Sequence, residues 1–321
     1  MKIKDLHKED IALLYDFNYR MFPERKNYKE VLDFWLNKES DAYKFFNIVY
    51  DNEMIYGQCL YSPMNYFYNN EKKSSVWGFD LIVNENERKN VYGIDLLLYG
   101  KERFTESFAT GSGPLALKIN LKLGYKFIGE IKKYVGILNP FYLVSSFRGI
   151  ISINKFPNNS NKYEKIDVDN LPDKNCPHNN DLLEISREND FLKWRFFNKL
   201  HEYAIYKMVD SDNYFVLRTI VKKHITCMVL VDFRCNMADI NEFETILKAV
   251  KEIMNKLRLS VLITGSSLHI SDKILEKYHF KAIGRNRPII SSVSFKDRKE
   301  DIENRKFILL TLADSDGEIL W

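Results

Sequence analysis

The apolar run Ser74–Val83, SSVWGFDLIV, passes directly into a polar turn, Asn84–Gly93 (NENERKNVYG), and then into a helical pattern, IDLLLYGKERF. A short run, ESFATGSG, a second helical pattern, LALKINLKLGY, and a last apolar run, KFIGEIKKYVGIL, complete the stretch. The order is strand, cationic turn, helix, strand, helix, strand. It calls for a mixed sheet, because period-2 and period-3.6 patterns alternate along it. A strand-to-helix turn is also where proteins build anion cradles. Free backbone N–H groups and the helix dipole point outward there, and Arg or Lys adds charge.

The elements before this stretch fit the same plan. Asp10–Phe22 and Lys29–Leu36 carry apolar residues at helical spacing, Phe45–Asp51 and Met54–Tyr61 read as strands about the turn Asp51-Asn52-Glu53, and Tyr66–Asn70 ends in another turn. A second pass begins near Pro140. Asn154–Asn180, dense in Asn, Lys, Pro and Asp, reads as a loop, and Asn189–Lys199 as a helix capped by Asn189 or Asp190. Strands follow at Tyr203–Val209, Tyr214–Val221 and Ile225–Phe233, then a helix at Glu242–Leu257. A strand at Leu259–Thr264, a helix at Ser271–Tyr278 and a strand at Phe280–Ile290 close the pass. The repeated order predicts two domains, 1–142 and 143–321, a division that suits 321 residues.

Charge narrows the partners. The net charge of +4 is spread among alternating acids and bases, so no nucleic-acid surface is expected. The N-terminus MKIKDLHKED has no apolar core, and no run reaches membrane-spanning length; a soluble, cytoplasmic protein without a membrane partner is expected. Four cysteines, Cys59, Cys176, Cys227 and Cys235, show no pairing logic and read as reduced thiols. Cys176-Pro177-His178 offers too few ligands for a metal, and no metal is expected.

The stretch Ser74–Gly136 resembles the acyl-CoA-binding core of the GNAT N-acyltransferases, and the likeness extends over roughly Met1–Asn139. The strings FLKWRF, YHFKAIG and FILLTLADSDGEILW make Leu143–Trp321 similar to the C-terminal halves of tandem GNAT proteins encoded with bacterial surface-polysaccharide genes. The resemblance implies an α/β fold with a mixed sheet, in two tandem acyl-CoA N-acyltransferase domains. It implies acetyl-CoA as acyl donor and a small-molecule amine as acceptor, an amino-sugar nucleotide among the candidates. A homodimer is compatible with it.

Specific residues carry the implied chemistry. The family turn Gln/Arg-x-x-Gly-x-Gly/Ala reads here Arg88-Lys89-Asn90-Val91-Tyr92-Gly93, with Val91 in place of the first glycine. Val91, Tyr92 and Gly93 would present N–H groups to the pyrophosphate, and Arg88 and Lys89 charge. The strand end Leu81, Ile82 and Val83 would pair with the pantetheine arm as a further strand does. In ALKINLKLGYKFIG, Gly124 suits a left-handed helix cap. Four residues earlier the family often has a Tyr that protonates the leaving thiolate; Asn120 stands here, and an amide cannot act as that acid. Asn120 could still hydrogen-bond the cofactor or be plain helix surface. Asp80, set in an apolar run, is the candidate base for the attacking amine, since desolvation should raise its pKa. The structural alternative, a carboxylate paired with a nearby Lys or backbone group, stays open.

The second half lacks this equipment. After Ile225–Phe233 comes Arg234-Cys235-Asn236-Met237-Ala238-Asp239, without glycine, and Asp232 only echoes Asp80. One acyl-CoA site, in the first half, is expected. Trp194 and Arg195 could meet a sugar or phosphate, or be a core residue and a buried ion-pair partner; Asp314-Ser315-Asp316 is either an acceptor-pocket signature or an acidic turn. Three functions remain: an N-acetyltransferase, a non-catalytic binding protein on a degenerate acyltransferase fold, and an aminoacyl-tRNA-dependent transferase, which the mild charge disfavours.

Overall fold

The computed structural model describes residues 2–51, 53–171, 177–314 and 316–319. Asn52, Cys176 and Ser315, named above in a turn, a metal reading and an acidic string, lie outside them. The first half runs β1 (Lys2–Asp5), α1 (Ile11–Met21), α2 (Tyr28–Leu36), β2 (Phe46–Tyr50), β3 (Ile55–Tyr68), β4 (Glu71–Val83), α3 (Tyr92–Arg103), β5 (Ser107–Thr110), α4 (Pro114–Lys122) and β6 (Lys126–Ile137). The second half runs β7 (Tyr163–Ile166), β8 (Leu183–Ile185), α5 (Asn189–Phe196), β9 (Ala204–Met208), β10 (Tyr214–Lys222), β11 (Ile225–Arg234), α6 (Ile240–Lys256), β12 (Val261–Ser266), α7 (His269–Lys277), β13 (Lys281–Ala282), β14 (Arg287–Ser291), α8 (Lys299–Glu303) and β15 (Ile308–Leu309).

These elements form two compact units that no single cut in the sequence separates. The first holds Met1–Tyr66, Lys73–Ile128 and Pro288–Lys296; the second holds Phe67–Lys72, Gly129–Arg287 and Asp297–Trp321. In the first unit the strand order is β1-β2-β3-β4-β5-β14. β5 runs parallel to β4, and β14 closes the sheet antiparallel to β5 through Ile289↔Thr110 and Ile290↔Ala109. In the second the order is β6-β12-β11-β10-β9-β7. There β12 runs parallel to β11, and β6 pairs antiparallel with β12 from Val261↔Ile137 to Ser266↔Lys132. Each unit therefore takes its closing strand from the other half of the sequence.

The first unit packs helices on both faces of its sheet. On one face α1 docks through Leu14 and Phe17, and the Asn18 amide donates to Gln58 Oε1 at 2.9 Å. On the same face Trp35 of α2 stacks on Phe79 of β4, ring centroids 4.1 Å apart. Such a pair contributes about 1 kcal/mol beyond its burial. On the other face Cys59, Tyr61 and Val76 meet Leu96 and Leu97 of α3, with Ile119 of α4 and Leu123 just after it beside them. Gly100 is glycine for packing: a Cβ there would overlap the Tyr61 hydroxyl. Gly124 follows α4 at φ +96°, and Tyr125 N–H donates to Asn120 O at 3.0 Å, which is the expected left-handed cap.

Several local readings need correction. The hairpin of β3 and β4 is longer than expected, because its turn is the left-handed pair Asn69 and Asn70. β7 lies inside the expected loop 154–180, where its four residues, YEKI, are too few for a periodic signal. The expected strand 280–290 breaks at Gly284, φ +68°, into β13 and β14. The cap of α5 is Glu188, and Asn189 is the first helical residue.

Candidate functional site

In the first unit β4 and β5 separate. Their pairing runs Val76↔Ser107, Trp77↔Phe108 and Gly78↔Ala109, and then stops. β5 ends at Thr110, while β4 continues through Val83. The edge of Phe79–Val83 that faced β5 is thus left without a neighbouring strand from β5. The change of course comes at Asp80. Its φ is +46°, a left-handed residue inside a strand. Before it, Val76 belongs to the cluster under α3; after it, Leu81 and Val83 pack there too. Residues an odd number apart share a face only if one extra residue has been inserted, so Asp80 is the extra residue of a β-bulge.

Asp80 is half-buried, so it is not sealed in the strand as its neighbours suggested. Its charge reaches the Cys59 thiol, which burial in the first place and Asp80 in addition push up to about 12. Cys59 is thereby excluded as a thiolate nucleophile near neutral pH.

β4 leads through Asn84, whose side chain accepts the Asn86 N–H at 3.1 Å, into a single 3-10 turn (Glu85–Glu87) and then α3. No side chain caps α3 at Val91. Among the described residues the N–H groups of Val91, Tyr92 and Gly93 have no acceptor. Gly93 is not demanded by packing, since a Cβ would meet only Val83 Cγ2, at 3.6 Å. Its missing side chain leaves the helix start open on the strand's side. Arg88 is exposed and bonds back, Nη1 to Glu85 at 3.0 Å and Nε to Val83 O at 3.4 Å. Asn90 Nδ2 donates to Glu87 at 2.6 Å, and Lys89 is exposed. The turn is therefore less cationic than its Arg-Lys pair implies, because two glutamates share it. Asn120 is buried and its amide donates to Ala116 O at 2.9 Å, within its own helix.

Two features escaped the sequence reading. The facing lip of the gap is Gly111-Ser112-Gly113, read as strand; it is a loop with Gly111 at φ +73°, leading into α4 with Pro114 in its first turn. Pro after a glycine-rich tripeptide was the available signal. Beneath the point of separation lie buried hydroxyls: Tyr125 Oη is 3.1 Å from Ser107 Oγ, and Tyr61 Oη has no partner among the described residues. Nothing in a linear reading brings these three residues together.

The second unit repeats the geometry and then fills it. β11 pairs with β12 only at Cys227↔Val261 to Val229↔Ile263, and its register against β10 slips at Val231. The bulge again falls two residues past the last parallel pair, as Asp80 does past Gly78. Val231, not Asp232, thus occupies the position equivalent to Asp80, and the sequence echo is out of step by one. Between the diverging ends sits the chain's own Thr311–Asp314. Thr311 bridges Ser266 of β12, and its hydroxyl donates to Asp232 of β11 at 2.6 Å. A Cβ on Gly265 would lie 2.8 Å from Leu312 Cδ2.

Asp232 is the hub of a buried ion network. Burial alone would raise its carboxyl, but Arg187 and Arg234 hold it well below the usual carboxylate range, with contacts of 2.9 and 2.8 Å. Asp314 joins through Arg187 at 2.7 Å. A second cluster sets Glu318 between Arg195 and Arg218, at 2.5 and 2.7 Å, so Arg195 is an ion-pair partner in the core. At the turn before α6 the amides are already used. Asn236 N–H donates to Glu242, Met237 N–H to Asn179 and Ala238 N–H to the Asn236 side chain, at 2.7, 2.6 and 3.0 Å. No group of His, Cys, Asp and Glu among the described residues could hold a metal.

No family model matches the sequence, and no curated protein matches it. Solved structures do. A GCN5-related N-acetyltransferase from Anabaena variabilis aligns over 90% of this chain and 72% of its own, with TM-score 0.63 and 11% identity. A probable N-acyltransferase of unknown function from Enterococcus faecalis aligns over 90% and 71%, with TM-score 0.60 and 10% identity. The Saccharomyces cerevisiae N-myristoyltransferase with bound myristoyl-CoA aligns over 90% and 78%, with TM-score 0.59 and 12% identity. The chain has the N-acyltransferase fold. The expected mixed α/β fold class is thereby established, and at these identities the likeness speaks for the fold alone.

Proposed function

We propose that the chain is an acyl-CoA-dependent N-acyltransferase with a single donor site, in its first unit. One observation carries this reading. The gap beside Phe79–Val83 ends on an uncapped α3 whose first N–H groups lack acceptors, while the equivalent gap in the second unit is filled by Thr311–Asp314. The pantetheine arm, an amide-bearing chain, would pair with Leu81, Ile82 and Val83, and the pyrophosphate would meet Val91, Tyr92 and Gly93. Arg88, Lys89 and Asn90 lie at its margin. Two of the neighbouring structures, an N-acetyltransferase and an N-myristoyltransferase, agree on acyl transfer to nitrogen and differ in acyl length. Acetyl-CoA is the donor proposed here, and a small-molecule amine, such as that of an amino-sugar nucleotide, the acceptor.

In the proposed reaction the amine attacks the thioester carbonyl. A C–N bond forms, the C–S bond breaks, and Asp80 takes the amine's proton directly or through water. Backbone N–H groups along the open edge polarise the carbonyl. Asn120 donates no proton, so the CoA thiolate, a fair leaving group near neutral pH, is protonated by solvent.

A second reading, a binding protein without catalysis, draws on Asn120 being tied to Ala116 and Arg88 to Glu85. Calorimetric titration with acetyl-CoA, followed by thiol release measured against a panel of amines, separates the two. One equivalent bound with release supports the enzyme, and binding without release across the panel supports the second reading. No binding at all refutes both.

A further inference from the structure

The second unit carries an apolar surface that no part of the chain covers among the described residues. In the segment after β6, Phe141 is 91% exposed, Val144 83%, Ile150 70% and Phe147 59%, and Ile137 at the end of β6 is 57% exposed. Side chains of this size rarely protrude so far and so close together on a soluble protein unless they meet something. The segment is held in place from below. Ser145 Oγ donates to Arg258 O at 3.1 Å, Thr226 Oγ1 to Gly149 O at 3.1 Å, and Ile151 N–H to Thr219 Oγ1 at 3.0 Å. Three stretches of chain therefore share this surface: 137–155, the β10–β11 hairpin, and the chain after α6.

The parts of these stretches near the surface hold no carboxylate. The sequence has no Asp or Glu from Ile131 to Tyr163, from Asn213 to Val231, or from Ile253 to Ser271. Arg148, the hairpin tip Lys222-Lys223-His224, and Arg258 are exposed and belong to these same three stretches. Glu202, which accepts the Ile153 N–H at 3.1 Å, stands at one margin. Glu252 is already engaged by Lys256 at 3.0 Å.

We infer that this face docks on an anionic lipid surface, with Phe141, Val144, Phe147 and Ile150 entering the headgroup region and Arg148, Lys222, Lys223 and Arg258 meeting phosphates. The charge pattern selects this occupant over a second copy. A two-fold dimer would lay the face on itself, opposing cation to cation with no acid between. Protruding apolar side chains ringed by bases are what interfacial binding uses. Among the described residues no helix is long and apolar enough to cross a membrane.

The test is co-sedimentation of the full chain with vesicles, equimolar phosphatidylglycerol and phosphatidylcholine against phosphatidylcholine alone. Binding to the anionic vesicles only, weakening as salt rises, is expected. The triple variant Phe141→Ser, Val144→Ser, Phe147→Ser should bind about tenfold more weakly or worse, and Lys222→Glu with Lys223→Glu should lose about tenfold. All five positions are exposed, so unchanged thermal melts should confirm folding. Absence of binding to anionic vesicles, or both variants binding as the parent does, overturns the inference. So does sedimentation equilibrium showing a dimer that the triple variant dissolves, without vesicle binding. Acetyl-CoA titration without vesicles is a separate readout, so the donor-site reading can fail or stand independently.

Discussion

The two gaps, β4 from β5 and β11 from β12, have one geometry and opposite contents. In each, a parallel pair ends and a bulge follows two residues on. In the first unit the bulge residue is a half-buried carboxylate, the facing lip is Gly111–Gly113, and the next helix begins uncapped. In the second the bulge residue is Val231, the gap holds Thr311–Asp314, and Asn179, Asn236 and Glu242 take the amides before α6. The same backbone device thus leaves amide groups open at the donor site proposed for the first unit. Where side chains satisfy them, the same device is core.

Exchanging the carboxylates is the sharpest way to break this contrast. Asp232→Ala should cost about 3–5 kcal/mol of stability, because it strands the buried Arg187 and Arg234. Chemical denaturation measures it, and a loss under about 1 kcal/mol would mean the second gap is not held by charge. Asp80→Asn should leave stability nearly unchanged, since Asn tolerates the left-handed backbone, yet lower transfer about 100-fold or more with acetyl-CoA affinity intact. Full activity in that variant would remove Asp80 from the chemistry.

The glycines should answer in opposite directions. Gly265→Ala, which brings a Cβ to 2.7 Å from Lys132 O, should destabilise by about 1–3 kcal/mol. Gly93→Ala, which fits, should stabilise the free protein by up to about 1 kcal/mol while weakening acetyl-CoA about tenfold. Parallel melts and calorimetric titrations of the two variants check this; equal affinity for Gly93→Ala would place the pyrophosphate elsewhere.

The smallest effect is in pH. Asp232 and Glu318 have folded pKa values below their ordinary 3.8 and 4.5; for both, burial pushes upward and the paired arginines outweigh it. A depressed carboxylate contributes stability above its unfolded pKa and loses it as pH falls toward the folded value. The contribution of these two clusters to the melting temperature should therefore be constant from about pH 7 to 5 and be lost below about pH 4.5. A parent protein whose melting temperature held level down to about pH 3 would contradict the ionised state of these clusters.

Much of the local architecture was legible. The strand–turn–helix at Ser74–Gly93 formed as read, because a period-2 run, a polar turn and a period-3.6 run each declare themselves within a few residues. The cap at Gly124 was legible for the same reason. The bulge was not. Asp80 in WGFDLIV looks like any polar residue in a strand, and its left-handed backbone follows from how β3 and β5 lie on either side of β4. Its supposed twin Asp232 misled by one residue, since a bulge at Val231 shifts the register without a mark in the sequence. The turn's charge was misjudged because Glu85 and Glu87 fold back on Arg88 and Asn90.

By itself the sequence determined the order of elements, the mixed α/β character and the strand–turn–helix that leads into α3, all of which depend on neighbours a few positions apart. Only the tertiary structure decided that Pro288–Ser291 closes the first sheet and Lys132–Ile137 the second. It alone decided that Thr311 would lie against Asp232, and so which gap is open and which is filled. Those contacts join residues tens to hundreds of positions apart. Their choice rests on which backbone edges, buried charges and apolar faces remain unsatisfied once the local elements have formed, a competition that no short window of sequence records.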